Sequence, residues 1–162
     1  IFQDSQARIE AMALVHEKLY ESENLAEIEM KYYIESLVHE LQSAYGHHGI
    51  HVHVQADDIL LDIVDSIPCG LILNELITNS MVHAFPDNGG GKIDVQLRRN
   101  GGGNVMVMVQ DDGIGLPDSF TIERTKSLGL NLVKLLTEQL QGEMRITKNG
   151  GTAFQISFPS GG

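Results

Sequence analysis

Apolar positions recur at helical spacing in the first part of the chain. Over residues 3–23 they form a narrow stripe with spacings of 3, 4 and 3, made of Ile9, Met12, His16 and Leu19. A stripe of this width is typical of a helix that packs against one other helix, so we predict a pairing helix. Residues 29–45 carry a broader apolar face and predict a second helix, which Gly46 ends.

The rest of the chain switches between strand and helix patterns. Strands are predicted over 50–55, 92–99, 104–111, 143–147 and 152–158, with a small apolar patch at 59–61. A third helix is predicted from about Ser66, which we expect to cap it with Pro68 in its first turn, to about Ala84. A fourth helix is predicted over 128–141, closed by Gly142.

The order of elements after residue 26 predicts the fold class. It is helix, strand, helix, hairpin, helix, hairpin, which favours an α/β (α+β) two-layer sandwich with a mixed sheet covered on one face by three helices. We therefore divide the chain into residues 1–25, the pairing helix, and residues 26–162, the sandwich, with the boundary at 22–26.

Composition narrows the range of partners. The 162 residues include 11 lysines and arginines against 22 aspartates and glutamates, a formal net charge of −11. A surface this acidic repels phosphate backbones and anionic lipid, so we expect no nucleic-acid partner and no direct membrane contact. The single cysteine, Cys69, excludes an internal disulfide and fits a cytoplasmic location. Because the first residue is Ile rather than Met, we expect a piece of a longer chain.

Three polar residues in the predicted third helix are the first candidates for chemistry. Glu75, Asn79 and His83 follow one another at intervals of four residues, which places them on one helix face. A carboxylate, an amide and an imidazole in a row can coordinate a hard cation and contact phosphate oxygens. A solvated polar face explains the same spacing equally well, and both interpretations stay open.

Glycine-rich segments supply the next candidates. Asp111 ends an apolar strand, and Gly113 and Gly115 after it would let the backbone approach a ligand while the carboxylate accepts a hydrogen bond from an amino group; an ordinary turn is the alternative. Residues 127–130 enter a helix whose free N–H groups and dipole suit an anion. Residues 150–154 open the last strand, and the sequence contains no Walker loop.

Taken in order, these segments resemble the ATP-binding domain of the GHKL superfamily of gyrase, chaperone, histidine kinase and mismatch-repair proteins. Residues 67–76 are similar to its asparagine box, residues 111–117 and 127–132 to its glycine boxes, and residues 151–159 to its final strand. Residues 11–20 look like the second helix of the dimerisation hairpin in sensor histidine kinases of the HWE-like branch and its near relatives. The resemblance implies a Bergerat-type fold.

The resemblance also implies roles for individual residues. Asn79 would bind the Mg²⁺ that bridges the triphosphate of ATP, and Glu75 would be the catalytic base or orienting carboxylate. Asp111 would accept a hydrogen bond from the adenine amino group. The other implied nucleotide-binding residues are His83, Gly113, Gly115, Ser127, Gly129, Leu130 and Thr152. Residues 118–126 would form a short mobile lid over ATP.

Three departures from the family pattern bear on these roles. Val82 stands where the family often has lysine, which removes a phosphate contact. Asp112 stands where the family often has asparagine, which adds negative charge close to the implied triphosphate. The resemblance implies that the phosphorylated histidine belongs on the first hairpin helix, upstream of residue 1, so we expect this chain to lack it.

Other histidines have simpler interpretations. We interpret His16, which lies in the pairing stripe, as a packed or interfacial histidine rather than a phosphate acceptor, and His39 as a weaker acceptor candidate still. His51 and His53 share a strand face, where two imidazoles could meet one metal ion, but no acidic or cysteine ligand accompanies them at fixed spacing. We therefore favour a solvated strand face.

The function implied by the resemblance is that of the catalytic portion of a two-component sensor histidine kinase. It would transfer the γ-phosphate of ATP to the upstream histidine, from which a response-regulator aspartate would receive it. The intact protein would be a homodimer through its hairpin helices. Two alternatives stay open: a degenerate nucleotide-binding module for dimerisation or docking, and a GHKL-type ATPase in which Glu75 activates water.

Overall fold

A computed structural model of the chain describes residues 6, 9–10, 13–14, 17, 26–46 and 49–160, with Asn88 described in its backbone only. The described residues before position 20 are helical; among them Leu14 is buried and Ile9 is exposed. The other positions of the predicted stripe, Met12, His16 and Leu19, lie outside the described residues. The pairing helix and the boundary at 22–26 therefore stay predictions.

Three helices form one layer of the described part of the chain. They are α1 (Met30–Tyr45), α2 (Ile63–Asn79) and α3 (Leu128–Gln139). As predicted, α1 ends at Gly46 and buries one broad face, composed of Met30, Tyr33, Ile34, Leu37, Val38 and Leu41. Tyr45, the last residue of the helix, is only partly buried.

Two short strands stand apart from the main sheet. β1 (Glu27–Glu29) and β3 (Leu60–Asp62) pair in antiparallel fashion. The pattern predicted the apolar patch that becomes β3, but it gave no sign of β1. Three residues are too few to display a strand period, so β1 owes its conformation to its pairing with β3.

The second layer is a five-stranded mixed sheet. Its strands are β2 (Ile50–Ala56), β4 (Gly91–Arg99), β5 (Asn104–Asp111), β6 (Glu143–Thr147) and β7 (Thr152–Pro159), in the spatial order β2-β4-β5-β7-β6. β2 and β4 are parallel, and all other neighbours are antiparallel. The two predicted hairpins, β4–β5 and β6–β7, are both present.

The core lies between the helix layer and one face of the sheet. Along β4, β5 and β7 every second side chain is buried, as strand geometry requires: Ile93, Val95, Leu97, Val105, Val107, Val109, Phe154, Ile156 and Phe158. The alternation confirms the predicted two-layer sandwich. Within the described residues, no helix combines the length and the apolar character that a membrane crossing needs.

The predicted start of the third helix is wrong. α2 begins three residues earlier than Ser66, and its cap is Asp62, whose carboxylate accepts a hydrogen bond from the Asp65 N–H at 2.9 Å. Ser66 lies inside the helix, buried, and donates to the Leu61 carbonyl oxygen at 3.0 Å. Pro68 is therefore in the second turn rather than the first. Asp62 is the last residue of β3 and the helix follows it directly, so its side chain is in the position where an N-cap acceptor is needed.

The ends of α2 and α3 also differ from the pattern. α2 continues as a π turn, Ser80–Ala84, in which the hydrogen bonds span one residue more than in an α-helix. α3 ends with Gln141, not Gly142, in the left-handed conformation, at a φ of 55°. Gly142 is needed for a different reason, because a Cβ there would lie 2.9 Å from the Ser157 carbonyl oxygen.

Candidate functional site

A cavity of about 270 Å³ opens between α2, α3 and the loops at one end of the sheet. Its wall is formed by Leu76, Asn79, Ser80, His83, Ala84, Asp111, Gly115, Leu116, Phe120, Thr125, Ser127, Leu130, Thr152 and Phe154. Seven of the predicted site residues lie in this wall: Asn79, His83, Asp111, Gly115, Ser127, Leu130 and Thr152. The other three, Glu75, Gly113 and Gly129, lie outside it.

Asp111 is a buried carboxylate in the cavity wall, only 5% exposed. It is the last residue of β5, and three donors hold it. The Ser80 hydroxyl donates to Oδ2 at 3.0 Å, and the Gly113 and Thr152 N–H groups donate to Oδ1 at 3.1 and 3.3 Å. Because a buried charge is costly without such partners, the fold is built to keep an acceptor at this point.

Two glycines let the loops close around Asp111. A Cβ on Gly113 would lie 2.2 Å from the Ala84 carbonyl oxygen, and a Cβ on Gly151 would lie 2.0 Å from that of Asp111. Gly151 also has a φ of 121°, a backbone angle that residues other than glycine rarely adopt. Gly113 thus acts outside the cavity wall, by packing the loop after β5 against the π turn.

The polar face predicted on the third helix extends across the end of α2. Asn79 is the last residue of α2, and His83 follows in the π turn; both line the cavity. Glu75 is buried one helical turn before Asn79. A side-chain amide and an imidazole at the cavity edge can contact phosphate oxygens, and the amide oxygen of Asn79 is a ligand type that Mg²⁺ accepts.

The first turn of α3 forms another part of the wall. Ser127 caps the helix, and its hydroxyl accepts a hydrogen bond from the Leu130 N–H at 3.3 Å. Gly129, in the same turn, is buried. The helix dipole and the remaining N–H groups at this end favour an anion, so the helix start is suited to phosphate.

The segment predicted as a lid borders the same cavity. Phe120 and Thr125 line it, and a short 3-10 turn, Ile122–Arg124, lies between them. Lys148 contacts the beginning of this segment through its ammonium group. That the segment moves over a nucleotide stays a prediction.

Asp112 and Val82, the two residues that differ from the family pattern, have different surroundings. The Asp112 carboxylate accepts a hydrogen bond from the Lys92 N–H at 2.7 Å, at the beginning of β4, and does not line the cavity. This carboxylate therefore contacts the beginning of β4. Val82 is 48% exposed on the π turn, where no lysine is present to reach a phosphate.

One of the two strand histidines, His53, makes an ordinary polar contact. His53 Nδ1 lies 3.2 Å from Asp94 Oδ1, which also contacts the Lys92 ammonium at 2.9 Å. Among the described residues, no group of three or more histidine, cysteine, aspartate or glutamate side chains is placed to hold a metal ion. His16, His47 and His48 lie outside those residues.

Sequence reasoning missed several residues of the site. Ser80 follows Asn79 directly and lies four residues after Leu76, so helical periodicity could have placed it on the cavity face. Phe154 lies two residues after Thr152, so strand alternation could have placed both on one face. Phe120, which lines the cavity, and Lys148, which contacts the lid segment, carried no such signal, because their positions depend on how loops pack in three dimensions.

Two family models match the chain. The model of histidine kinase-, DNA gyrase B- and HSP90-like ATPases matches residues 64–162, which include the whole cavity wall. A histidine kinase model matches residues 1–45.

Two curated proteins that are similar to the chain are both named as histidine kinases. Blue-light-activated histidine kinase 2 of Erythrobacter litoralis is 32% identical over 115 residues, which is 70% of this chain and 33% of that protein. Sensor histidine kinase PdtaS of Mycobacterium tuberculosis is 30% identical over 166 residues, which is 98% of this chain and 32% of that protein. The chain thus spans about a third of the length of these relatives.

Solved structures agree with the fold. The histidine kinase domain of the blue-light-activated histidine kinase of Erythrobacter litoralis superposes with a TM-score of 0.89 at 26% identity, covering 97% of this chain and 75% of that one. The resemblance stated from the sequence is confirmed. The chain belongs to the histidine kinase-, DNA gyrase B- and HSP90-like ATPase family, and within it to the histidine kinases.

Proposed function

We propose that this chain is the ATP-binding catalytic part of a sensor histidine kinase, which transfers the γ-phosphate of ATP to a histidine nitrogen on another segment of the intact protein. The observation that carries the proposal is the buried Asp111 carboxylate, held in the cavity wall by three donors. Most of the cavity wall around it is apolar, as the faces of a purine require.

The adenine end would be recognised by Asp111 and its neighbours. The amino group of adenine is a donor, and Asp111 offers an acceptor whose position is fixed before binding. Thr152, whose own N–H donates to Asp111, would assist from the start of β7. Leu76, Leu130 and Phe154 would pack against the base.

The phosphate end would lie between the end of α2 and the start of α3. Asn79 would hold Mg²⁺ through its amide oxygen, and the donor set fits because this hard cation prefers oxygen ligands and keeps several waters. Mg²⁺, when bound, offsets the charge of the phosphates. His83 and the first turn of α3, beginning at Ser127, would contact phosphate oxygens directly.

The transfer step itself needs positioning more than covalent help from the protein. A histidine nitrogen attacks the γ-phosphorus, the bond from that phosphorus to the β–γ bridging oxygen breaks, and ADP leaves with the electron pair. Glu75 would accept a hydrogen bond from the other imidazole nitrogen, which orients the ring and raises the basicity of the attacking nitrogen.

Further steps belong to the intact protein. The phosphoryl group would pass from the histidine to an aspartate of a response regulator, and two copies would pair through their hairpin helices. A cytoplasmic location agrees with one buried, unpaired cysteine, Cys69.

Nucleotide titration tests the proposal. The chain should bind ADP and Mg-ATP in calorimetry, and Asp111→Asn should weaken binding about ten- to a hundredfold, because it removes a charged acceptor. Asp112→Asn is the matched control; it changes the adjacent carboxylate, which bonds Lys92 rather than lining the cavity, and should leave affinity within about twofold. Absence of binding at millimolar nucleotide would favour the docking module instead.

A transfer assay separates a kinase from an ATPase. The segment of the intact protein that carries the acceptor histidine, supplied in trans with radiolabelled ATP, should gain acid-labile phosphate. Glu75→Gln should lower the rate of this transfer by about tenfold or more. Release of inorganic phosphate at an equal rate with or without that segment would contradict the proposal and support the ATPase alternative.

A further inference from the structure

The ammonium group of Lys148 contacts three backbone carbonyl groups of one short segment. It donates to the carbonyl oxygens of Pro117, Asp118 and Phe120 at 3.1, 3.2 and 2.8 Å. The segment is itself closed by a hydrogen bond from the Phe120 N–H to the Pro117 carbonyl oxygen at 2.9 Å. Lys148 Nζ also lies 5.6 Å from the centroid of the Phe120 ring.

These contacts use the full donor capacity of the side chain. A lysine ammonium has three N–H donors, and here each has a carbonyl acceptor. Hydrogen bonds to a charged group are stronger than those between neutral groups. The three contacts therefore fix residues 117–120 against the turn that carries Lys148, so that the segment is held by more than the packing of the Phe120 side chain.

The same turn also reaches the adenine end of the cavity. Lys148 precedes Gly151 and Thr152, whose N–H donates to Asp111. Gly151 packs so closely that a Cβ there would lie 2.0 Å from the Asp111 carbonyl oxygen. The short connection between β6 and β7, together with the first residue of β7, thus contacts both the carboxylate proposed to recognise adenine and the segment 117–120.

We infer that Lys148 is a positioning residue that fixes the beginning of the lid, so that Phe120 is held in the cavity wall before nucleotide arrives. This inference rests on the proposed function, in which residues 118–126 cover the bound nucleotide. Lys148 touches no reacting atom. It acts through Phe120, and removing it leaves the cavity present but its lid side unfixed.

The first test needs no nucleotide. Because the chain contains four tyrosines but no tryptophan, Phe120→Trp introduces a single tryptophan at the lid, which can be excited selectively at long wavelength. In that background, Lys148→Met should shift the emission to longer wavelength and increase quenching by acrylamide. A second readout uses Lys148→Met in the otherwise wild-type chain and follows tryptic cleavage after Arg124 and Lys126 by mass spectrometry. Cleavage should be about tenfold faster than in the wild type, because its rate follows the population of the open segment.

The second test measures affinity. Lys148→Met should raise the dissociation constant for ADP about fivefold, while far-UV circular dichroism stays unchanged. Lys148→Gln, which keeps two N–H donors without the charge, should fall between the wild type and the methionine variant in every readout. This graded second variant keeps the test valid if one variant folds poorly.

Lys31→Met is the matched control. Lys31 also makes a polar contact, with Asp58 at 3.1 Å, but it lies on α1 and does not line the cavity. It should leave emission, lid cleavage and ADP affinity as in the wild type. Lid readouts in both Lys148 variants equal to those of the control would overturn the inference. Failure of the wild-type chain to bind ADP would instead contradict the proposed function, since the lid readouts are taken without nucleotide.

Discussion

Asp111 and Asp112 are adjacent carboxylates with different surroundings. Asp111 faces inward at the end of β5, where side-chain and backbone donors surround it. Asp112 follows β5 and accepts a hydrogen bond from the Lys92 N–H at the beginning of β4. Alternation along a strand sends neighbouring side chains to opposite sides, so one residue becomes part of a cavity and the other part of a sheet end.

Ser80 is the side-chain donor in the Asp111 cluster, and its removal should be measurable. Ser80→Ala takes away the hydroxyl that donates to Asp111 Oδ2, leaving a buried charge with fewer partners. We expect the free energy of unfolding to fall by about 1–3 kcal/mol at neutral pH. Urea unfolding followed by circular dichroism measures this change.

Ser43→Ala is the control for that prediction. Ser43 also lies in a helix and donates to a carbonyl oxygen, that of His39 at 3.0 Å, but it is exposed. Its replacement should change stability by less than about 0.5 kcal/mol. Equal losses for Ser80→Ala and Ser43→Ala would mean that the contact with Asp111 contributes nothing particular to the fold.

At the scale of elements, the end of α2 shows how a helix adapts to a site. The π turn Ser80–Ala84 carries Ser80 to Asp111 and leaves the Ala84 carbonyl oxygen to accept from the Ile114 N–H at 2.9 Å. π turns are uncommon and recur at functional sites. Here the wider turn joins α2 to the loop after β5, which is the junction that the cavity needs.

The end of α3 leads to a stability prediction. Gln141 occupies the left-handed position, and the N–H groups of Gln141 and Gly142 donate to the carbonyl oxygens of Glu138 and Thr137, the pattern of a Schellman motif. Gln141→Gly should raise the free energy of unfolding by about 0.5–1 kcal/mol, because glycine adopts this conformation without steric cost. Thermal and urea unfolding measure the effect.

Gln139→Gly provides the opposite control. Gln139 is exposed in the last turn of α3 with ordinary helical geometry, so glycine there should lower stability by about 0.5–1 kcal/mol. If both glycine substitutions lowered stability, the left-handed conformation of Gln141 would not be costly. That result would contradict the interpretation that glycine is the favoured residue at this helix end.

How far the sequence predicts these elements depends on the source of the signal. Helices and strands with a buried face were placed correctly because burial imposes a period of 3.6 or 2 residues on the sequence. The start of α2 and the end of α3 were misplaced, since Asp62 and Gln141 occupy their positions through the path of the neighbouring chain. β1 has no period to detect at all.

At the scale of the whole molecule, the cavity is assembled from distant parts of the sequence. Residues such as Asn79 and Thr152 could be named in advance because they stand in ordered motifs that resemble a known family. Phe120 and Lys148 could not, because only the packing of the lid segment against the β6–β7 turn brings them to the site. Motifs thus predict which polar residues line the cavity, while packing decides which other residues surround them.

Cys69 reports on the stability of the whole molecule at high pH. It is fully buried in α2, and burial, with a smaller effect of the Asp65 charge, raises the pKa of the thiol from 9.0 to about 12. In the unfolded chain the thiol ionises near its ordinary pKa. Between these two values the unfolded state binds fewer protons than the native state, so stability must fall as pH rises.

Replacing the thiol should therefore change the pH dependence of stability rather than only its size. Cys69→Ala leaves a small cavity and should lower the free energy of unfolding at about pH 8. As pH rises to about 10.5, the wild type should lose more stability than the variant, and the two should converge. Burial is the main cause that raises the pKa of Tyr33, and Cys69 contributes less, so Tyr33 changes little between the two chains. Urea unfolding compared at the two pH values therefore reports mainly on the thiol. Parallel pH profiles for the two chains would mean that Cys69 ionises in the native state as readily as in the unfolded one.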